Sequence, residues 1–304
     1  MTALARKKSG RNTRRETLEF YLFISPWLIG FLVFLLYPLL SSLYYSFTRY
    51  EIGGTPLWIG MRNYVDMFSD PRYLNSIKVT FLFALISVPG LSIVALGLAL
   101  ILSQKLRGIH IFRSVYFMPS VMPMVAISLT WFYVLRPETG PLAGLLALLG
   151  IEGPRWLGEP RWALIALMII NIWISFGGQM VIYMAGIKGI PQELYEVAEI
   201  DGAGAWAKFR NVTIPMLTST IFLNLILGII GAMQIFDIPW VMTRGGPNDA
   251  TRTYMIHLYN RGWVEIQMGS ASAMGWILFL MIMAITLLVI RSSQAWVYYE
   301  GERK

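Results

Sequence analysis

The chain has 304 residues, 56% of them hydrophobic and 14% charged, with a net charge of +8. A soluble domain carries about 25% charged residues, so this composition excludes a soluble globular enzyme and a disordered chain and points to a polytopic membrane protein. It has no cysteine, and its two histidines are His110 and His257; disulfides and thiolate chemistry are excluded, and neither a metal centre nor a catalytic residue is expected.

In chain order, six apolar blocks stand out: residues 20–47, 79–102, 114–134, 162–187, 216–235 and 268–290. Each is 20 to 28 residues long, which matches the roughly 20 needed to cross about 30 Å of hydrocarbon. None of their 142 residues is charged, and all 42 charges fall in the other 162. The cost of a charge in a bilayer accounts for that partition. The first block is about twice the length of a signal-peptide apolar region and no A-x-A site follows it, so it reads as a retained helix. The long first and fourth blocks are expected to tilt or to extend past the bilayer.

Residues 1–19 hold Arg6, Lys7, Lys8, Arg11, Arg14 and Arg15. Together with segments 103–113, 188–215 and 291–304 they carry 15 Lys and Arg in 72 residues, against 10 in the 90 residues of the opposite side. The bias predicts both termini in the cytoplasm. The basic N-terminus reads as a topogenic signal that touches anionic lipid, and no aromatic or Gly-rich pattern gives it a nucleic-acid partner.

The second block contains Pro89-Gly90 and the third opens with Pro119 and Pro123. Proline removes a backbone donor and bends a helix; such kinks suit a protein that rearranges and equally suit ordinary membrane helices. The fourth block carries Asn171, Ser175, Gln179 and Tyr183 at i+4 spacing, with Trp173 nearby. Each step advances about 40° beyond a full turn, so these residues form a slowly rotating polar stripe. The fifth block adds Asn224 and Gln234, with Gly228 and Gly231 expected to permit close backbone approach. These polar groups line an aqueous path suited to sugar-like ligands or bond helix to helix; the sequence leaves both open. In the sixth block Gly269-Ser270-Ala271-Ser272-Ala273 with Gly275 reads as a tight packing face.

No acid, base or histidine lies in any block, which argues against proton relays and voltage sensing. No G-x-x-x-x-G-K-[ST] sequence appears, and Gly245-Gly246-Pro247 reads as a turn. A pump of this kind takes ATP from another polypeptide.

The loop 188–215 is the most informative stretch. Pro191 starts a helix, and Gln192, Glu193 and Glu196 complement its dipole. Leu194, Val197 and Ala198 make one apolar face, Glu193, Glu196 and Glu199 another flank, and Gly202 ends the helix. A second amphipathic turn led by Trp206 and Phe209 runs to Pro215. The acidic flank favours a protein groove over a lipid surface.

This segment resembles the EAA loop of ABC-importer permeases: Glu-Ala-Ala, three residues, Gly, nine residues, Ile-x-Leu-Pro. Here it is Glu196-Val197-Ala198, Gly202 and Val212-Thr213-Ile214-Pro215, with every spacing kept and three conservative replacements. Ile59-Gly60-Met61-Arg62-Asn63-Tyr64, Asp70-Pro71-Arg72, Phe112-Arg113-Ser114 with Pro119, and Asp237-Ile238-Pro239-Trp240 through Gly245-Gly246-Pro247-Asn248 are similar to the carbohydrate-uptake branch, of maltose and glycerol-3-phosphate type. The similarity spans roughly residues 15–300.

The resemblance implies an all-α polytopic membrane protein with six transmembrane helices and type I ABC importer permease architecture. It would comprise a basic cytoplasmic N-terminus, 1–19, and a permease domain, 20–304, with its core at 76–290 and the coupling loop at 188–215. It also implies a second permease chain, two ABC ATPase subunits that bind the ATP and Mg²⁺, an extracytoplasmic solute-binding protein, and no cofactor in this chain. Leu194, Glu196, Val197, Ala198, Ile200, Asp201 and Gly202 would meet the ATPase. Asn171, Trp173, Ser175, Gln179, Tyr183, Asn224 and Gln234 are the pathway candidates. A secondary carrier or facilitator for a neutral solute is the alternative.

Overall fold

The computed structural model describes residues 10–104 and 107–298, with side chains from residue 14. Arg6, Lys7, Lys8, Lys105, Arg303 and Lys304, all counted in the charge bias, lie outside the described residues, as does the side chain of Arg11. The first span joins α1 (Gly10–Phe31), a π-turn (Leu32–Leu36) and α2 (Tyr37–Ser46) into one rod. The π-turn comes just before Pro38, where the widened turn accommodates the missing donor. A short hairpin follows, β1 (Thr48–Arg49) antiparallel to β2 (Leu57–Trp58), and then α3 (Arg62–Phe68). Asn63 Nδ2 donates to the carbonyls of Ser46 and Thr48, each at 2.8 Å, and so pins the end of the first span.

The second span, α4 (Pro71–Leu102), starts eight residues before its apolar block. Asp70 caps it by accepting from the Arg72 N–H at 2.8 Å, with Pro71 in the first turn. The helix runs unbroken through Pro89-Gly90. Arg113 caps its other end, donating twice to the Leu102 carbonyl at 2.6 and 3.0 Å.

The third block departs from expectation. It is not one straight helix: α5 (Ile109–Phe117) with a 3₁₀ turn (Met118–Val121) meets α6 (Met124–Val134) at 97°. Pro119 and Pro123 remove two donors four residues apart, and Met122, held extended before Pro123, cannot continue the helix. Among the described residues five helices are long and apolar enough to span, or six when this bent pair counts as one.

Then come α7 (Pro141–Leu148), α8 (Pro160–Gly189), α9 (Gln192–Ile200), α10 (Ala205–Lys208), a π-turn (Phe209–Thr213) and α11 (Ile214–Met216). The fifth span joins α12 (Thr218–Met233) to α13 (Asp237–Met242). The chain closes with α14 (Tyr254–Tyr259), a π-turn (Asn260–Val264) and α15 (Met268–Ser293).

Helix α4 is the hub and packs on α8 and α12. Phe83, Leu167, Ile170 and Ile174 fill one half of that contact, and Leu91, Ala95, Met180 and Tyr183 the other. With little hydrophobic drive between helices in lipid, close packing at small residues matters more. A Cβ on Gly186 would lie 2.5 Å from Thr220 Oγ1, and one on Gly269 2.1 Å from the Thr48 carbonyl. Ala271 and Ala273 are buried as the packing face requires, but Gly231 and Gly275 meet open space and support no close approach. The Gly245-Gly246-Pro247 segment is a turn, closed by Gly246 N–H to Thr243 O at 2.9 Å.

Candidate functional site

Two groups of residues are candidates for function. The first is the α9 loop. Pro191 precedes α9, and Glu193 lies in its first turn, at the positive end of the helix dipole. The helix ends in a Schellman motif: Gly202 N–H donates to Glu199 O at 3.0 Å and Ala203 N–H to Ala198 O at 2.8 Å, with Asp201 as the cap and Gly202 at φ +76°. Tyr195 and Ala198 face the chain, where the Tyr195 hydroxyl lies 3.0 Å from Thr213 Oγ1. On the other side Leu194, Val197 and Ile200 are exposed, Ile200 at 85%. Glu196 accepts from Gln192 at 3.0 Å, and Glu199 pairs with Lys208. The loop thus presents an apolar strip flanked by carboxylates, with Trp206 exposed beside it and tilted against Phe209. Ala198 is half-buried, as Tyr195 is, whereas Leu194, Val197 and Ile200 are exposed.

The second group lies where α8, α4 and α12 meet. Gln179 Nε2 donates to the backbone carbonyl of Asn224 at 3.2 Å, and a Cβ on Gly228 would crowd that nitrogen at 3.3 Å. The Tyr183 hydroxyl is directed toward Ser92 and Asn224 without closing a full bond to the Ser92 hydroxyl or the Asn224 amide. Gln179 Oε1, both amide atoms of Asn224 and Ser92 Oγ are buried with no hydrogen-bond partner. Orphan polar atoms of this density in a span carry a real desolvation cost.

The structure does not bring the other pathway candidates here. Trp173 packs edge-on against Trp131 at 5.3 Å, Asn171 and Ser175 are half-buried higher on α8, and Gln234 sits exposed at the C-terminal cap of α12. Sequence reasoning missed Ser92, two residues beyond Pro89-Gly90, and Ser120. The Ser120 hydroxyl accepts from Gly178 N–H at 3.2 Å and donates to Ile174 O at 2.8 Å. It inserts into the ladder of α8 beside Gln179, where a Cβ on Gly177 would collide with it at 2.6 Å. Adjacent Gly177-Gly178 was the available signal.

At the end of the chain away from α9, Asp70 is bound by Arg261 at 2.6 Å, and His257 Nε2 lies 3.8 Å from the same oxygen. Burial acts against the Asp70 charge, but the Arg72 amide and Arg261 outweigh it and hold its carboxyl below the usual range. Burial pushes His257 down to about 4. Among the described residues no group of three or more His, Asp or Glu could hold a metal ion.

The model of the family described as binding-protein-dependent transport system inner membrane component matches residues 92–298. A probable ABC transporter permease protein, YesP of Bacillus subtilis (strain 168), is 38% identical over 302 residues, covering 98% of this chain and 97% of the relative. The trehalose/maltose transport system permease protein MalF of Thermococcus litoralis is 32% identical, over 91% and 94% of the two chains. Among solved structures, a bacterial ABC transporter involved in the import of the acidic polysaccharide alginate superposes with a TM-score of 0.83 at 22% identity, over 94% of this chain and 98% of that one.

Proposed function

The chain belongs to the binding-protein-dependent transport system inner membrane components, and from that premise we propose that it is a permease subunit of an ATP-driven importer for a sugar, either an oligosaccharide or a sugar derivative. A second permease chain completes the path, two ATPase subunits supply ATP hydrolysis and hold its Mg²⁺, and an extracytoplasmic binding protein delivers the ligand. The single observation that carries this reading is the unpartnered strip Leu194, Val197 and Ile200, held out from the bundle between two spans.

Alternating access then has a physical route. Closure of the ATPase pair moves α9, which the Tyr195–Thr213 contact and the Glu199–Lys208 pair tie to the entry of the fifth span. Movement of α12 against α8 changes what Gln179 and Asn224 can reach. The orphan amides there suit a polyhydroxylated ligand, and the uncharged blocks disfavour an anion bound deep in them. The relatives named for trehalose/maltose and lactose transport support the sugar class. With α9 in the cytoplasm, both termini are cytoplasmic, residues 1–19 form a basic cytoplasmic lead, and the permease domain begins at residue 20.

The test is a cysteine at Val197, introduced into a chain that has none. In the assembled complex it is expected to cross-link to an ATPase subunit. Labelling of that cysteine by a membrane-impermeant thiol reagent from outside intact cells would overturn the reading.

A further inference from the structure

A groove runs between α4 and α8 at the ends away from α9, enclosing about 440 Å³. Leu82 and Ile86 of α4 and Ile165 and Met168 of α8 line its length, and Lys78 and Arg161 stand at its mouth. We propose that this groove binds one acyl chain of an anionic phospholipid, with the headgroup held between Lys78 and Arg161.

Three features carry the assignment. First, the mouth is electrostatically open. No acidic side chain lines the groove, Lys78 and Arg161 enter no ion pair among the described residues, and nearby Asp249 is taken by Arg252 and Arg72. Second, the level is that of a headgroup. Residues 79–102 and 162–187, both uncharged, begin immediately after the two cations. Cations at such boundaries reach toward the interface while their stems lie along apolar surface. Third, the space below is apolar and too poor in polar partners to hold ordered water. A partner helix would fill it but would leave two cations without a counter-charge, whereas an anionic lipid of the outer leaflet supplies both the chain and the charge. The inference goes beyond the importer reading and stands on the two spans alone.

The test uses the assembled transporter in phosphatidylcholine vesicles. A cysteine at Leu85, exposed beside the groove, carries a fluorophore, and acyl-chain nitroxide phosphatidylglycerol is compared with nitroxide phosphatidylcholine at equal mole fraction. Several-fold stronger quenching by the phosphatidylglycerol is expected. The double substitution K78A/R161A is expected to remove that preference, and so is Ile165→Trp, which fills the groove and keeps both charges. Equal quenching by the two lipids in the parent protein, or an undiminished preference in either variant, would overturn the proposal. So would a cross-link from the same cysteine to the partner permease.

Discussion

Gly202 sits at φ +76°, a region that costs a residue with a Cβ about 1–2 kcal/mol. Its N–H closes the last turn of α9. Gly202→Asp adds that strain and sets a second carboxylate beside Asp201 at the negative end of the helix. The variant is expected to assemble in the membrane while ATP hydrolysis runs without uptake; parallel assays in proteoliposomes check this, and normally coupled uptake would contradict it. At the polar junction, Gln179→Ala removes an unpartnered Oε1 that a hydroxylated ligand would use; loss of one ligand hydrogen bond worth about 1 kcal/mol corresponds to an apparent KM for uptake raised about fivefold. Asn224→Ala leaves the backbone acceptor of Gln179 in place but removes two unpartnered atoms that a hydroxylated ligand would use. It too should raise KM without loss of assembly, whereas unchanged kinetics in both variants would mark the junction as packing only. His257, pushed down from 6.5 to about 4, binds its proton more weakly in the folded state. Stability therefore rises between about pH 4 and 6.5 and falls as pH drops through that window, by about 3 kcal/mol at most. Asp70 acts in the same sense at lower pH, since its depressed pKa stabilises the fold above 3.8 and that contribution is lost on protonation. A melting temperature that falls on acidification, with a shallower slope in His257→Gln, is the expected outcome.

Among the elements, those whose signal is local were legible. The end of α9 at Gly202 and the 245–247 turn follow from residues adjacent in sequence, whereas the cap at Asp70, ahead of the apolar block, was not read from it. The bend of the third block was only half legible. Pro119 and Pro123 announce lost donors, but whether a helix kinks or breaks to 97° depends on what receives it, here Ser120 seated on Gly177-Gly178 of α8. Ser120→Ala removes both of its bonds to α8 and is expected to destabilise the chain by about 1–3 kcal/mol, read as a lowered melting temperature. The polar stripe divides between neighbours for a geometric reason. Three i+4 steps accumulate about 120° of rotation, so Asn171 and Tyr183 face different neighbours. Gln179 and Tyr183 reach α4 and α12, and Asn171 does not join them.

For the whole molecule, the apolar blocks placed the five long spans and both limbs of the bent third block because the bilayer's cost of charge acts on every residue alike. How the spans pack was not legible, since lipid and protein interior are nearly equal in polarity. The first span shows this, because none of its most apolar window is buried within the chain although it is among the longest. The purified chain is expected to show no ATPase activity, as its sequence lacks a phosphate loop. The most direct measurement of the central claim is uptake of labelled sugar into proteoliposomes that hold the complete complex and its binding protein, with and without ATP enclosed. Accumulation against a gradient only with enclosed ATP and binding protein is expected. Downhill uptake without ATP, at a rate that ATP does not change, would contradict it and identify a facilitator.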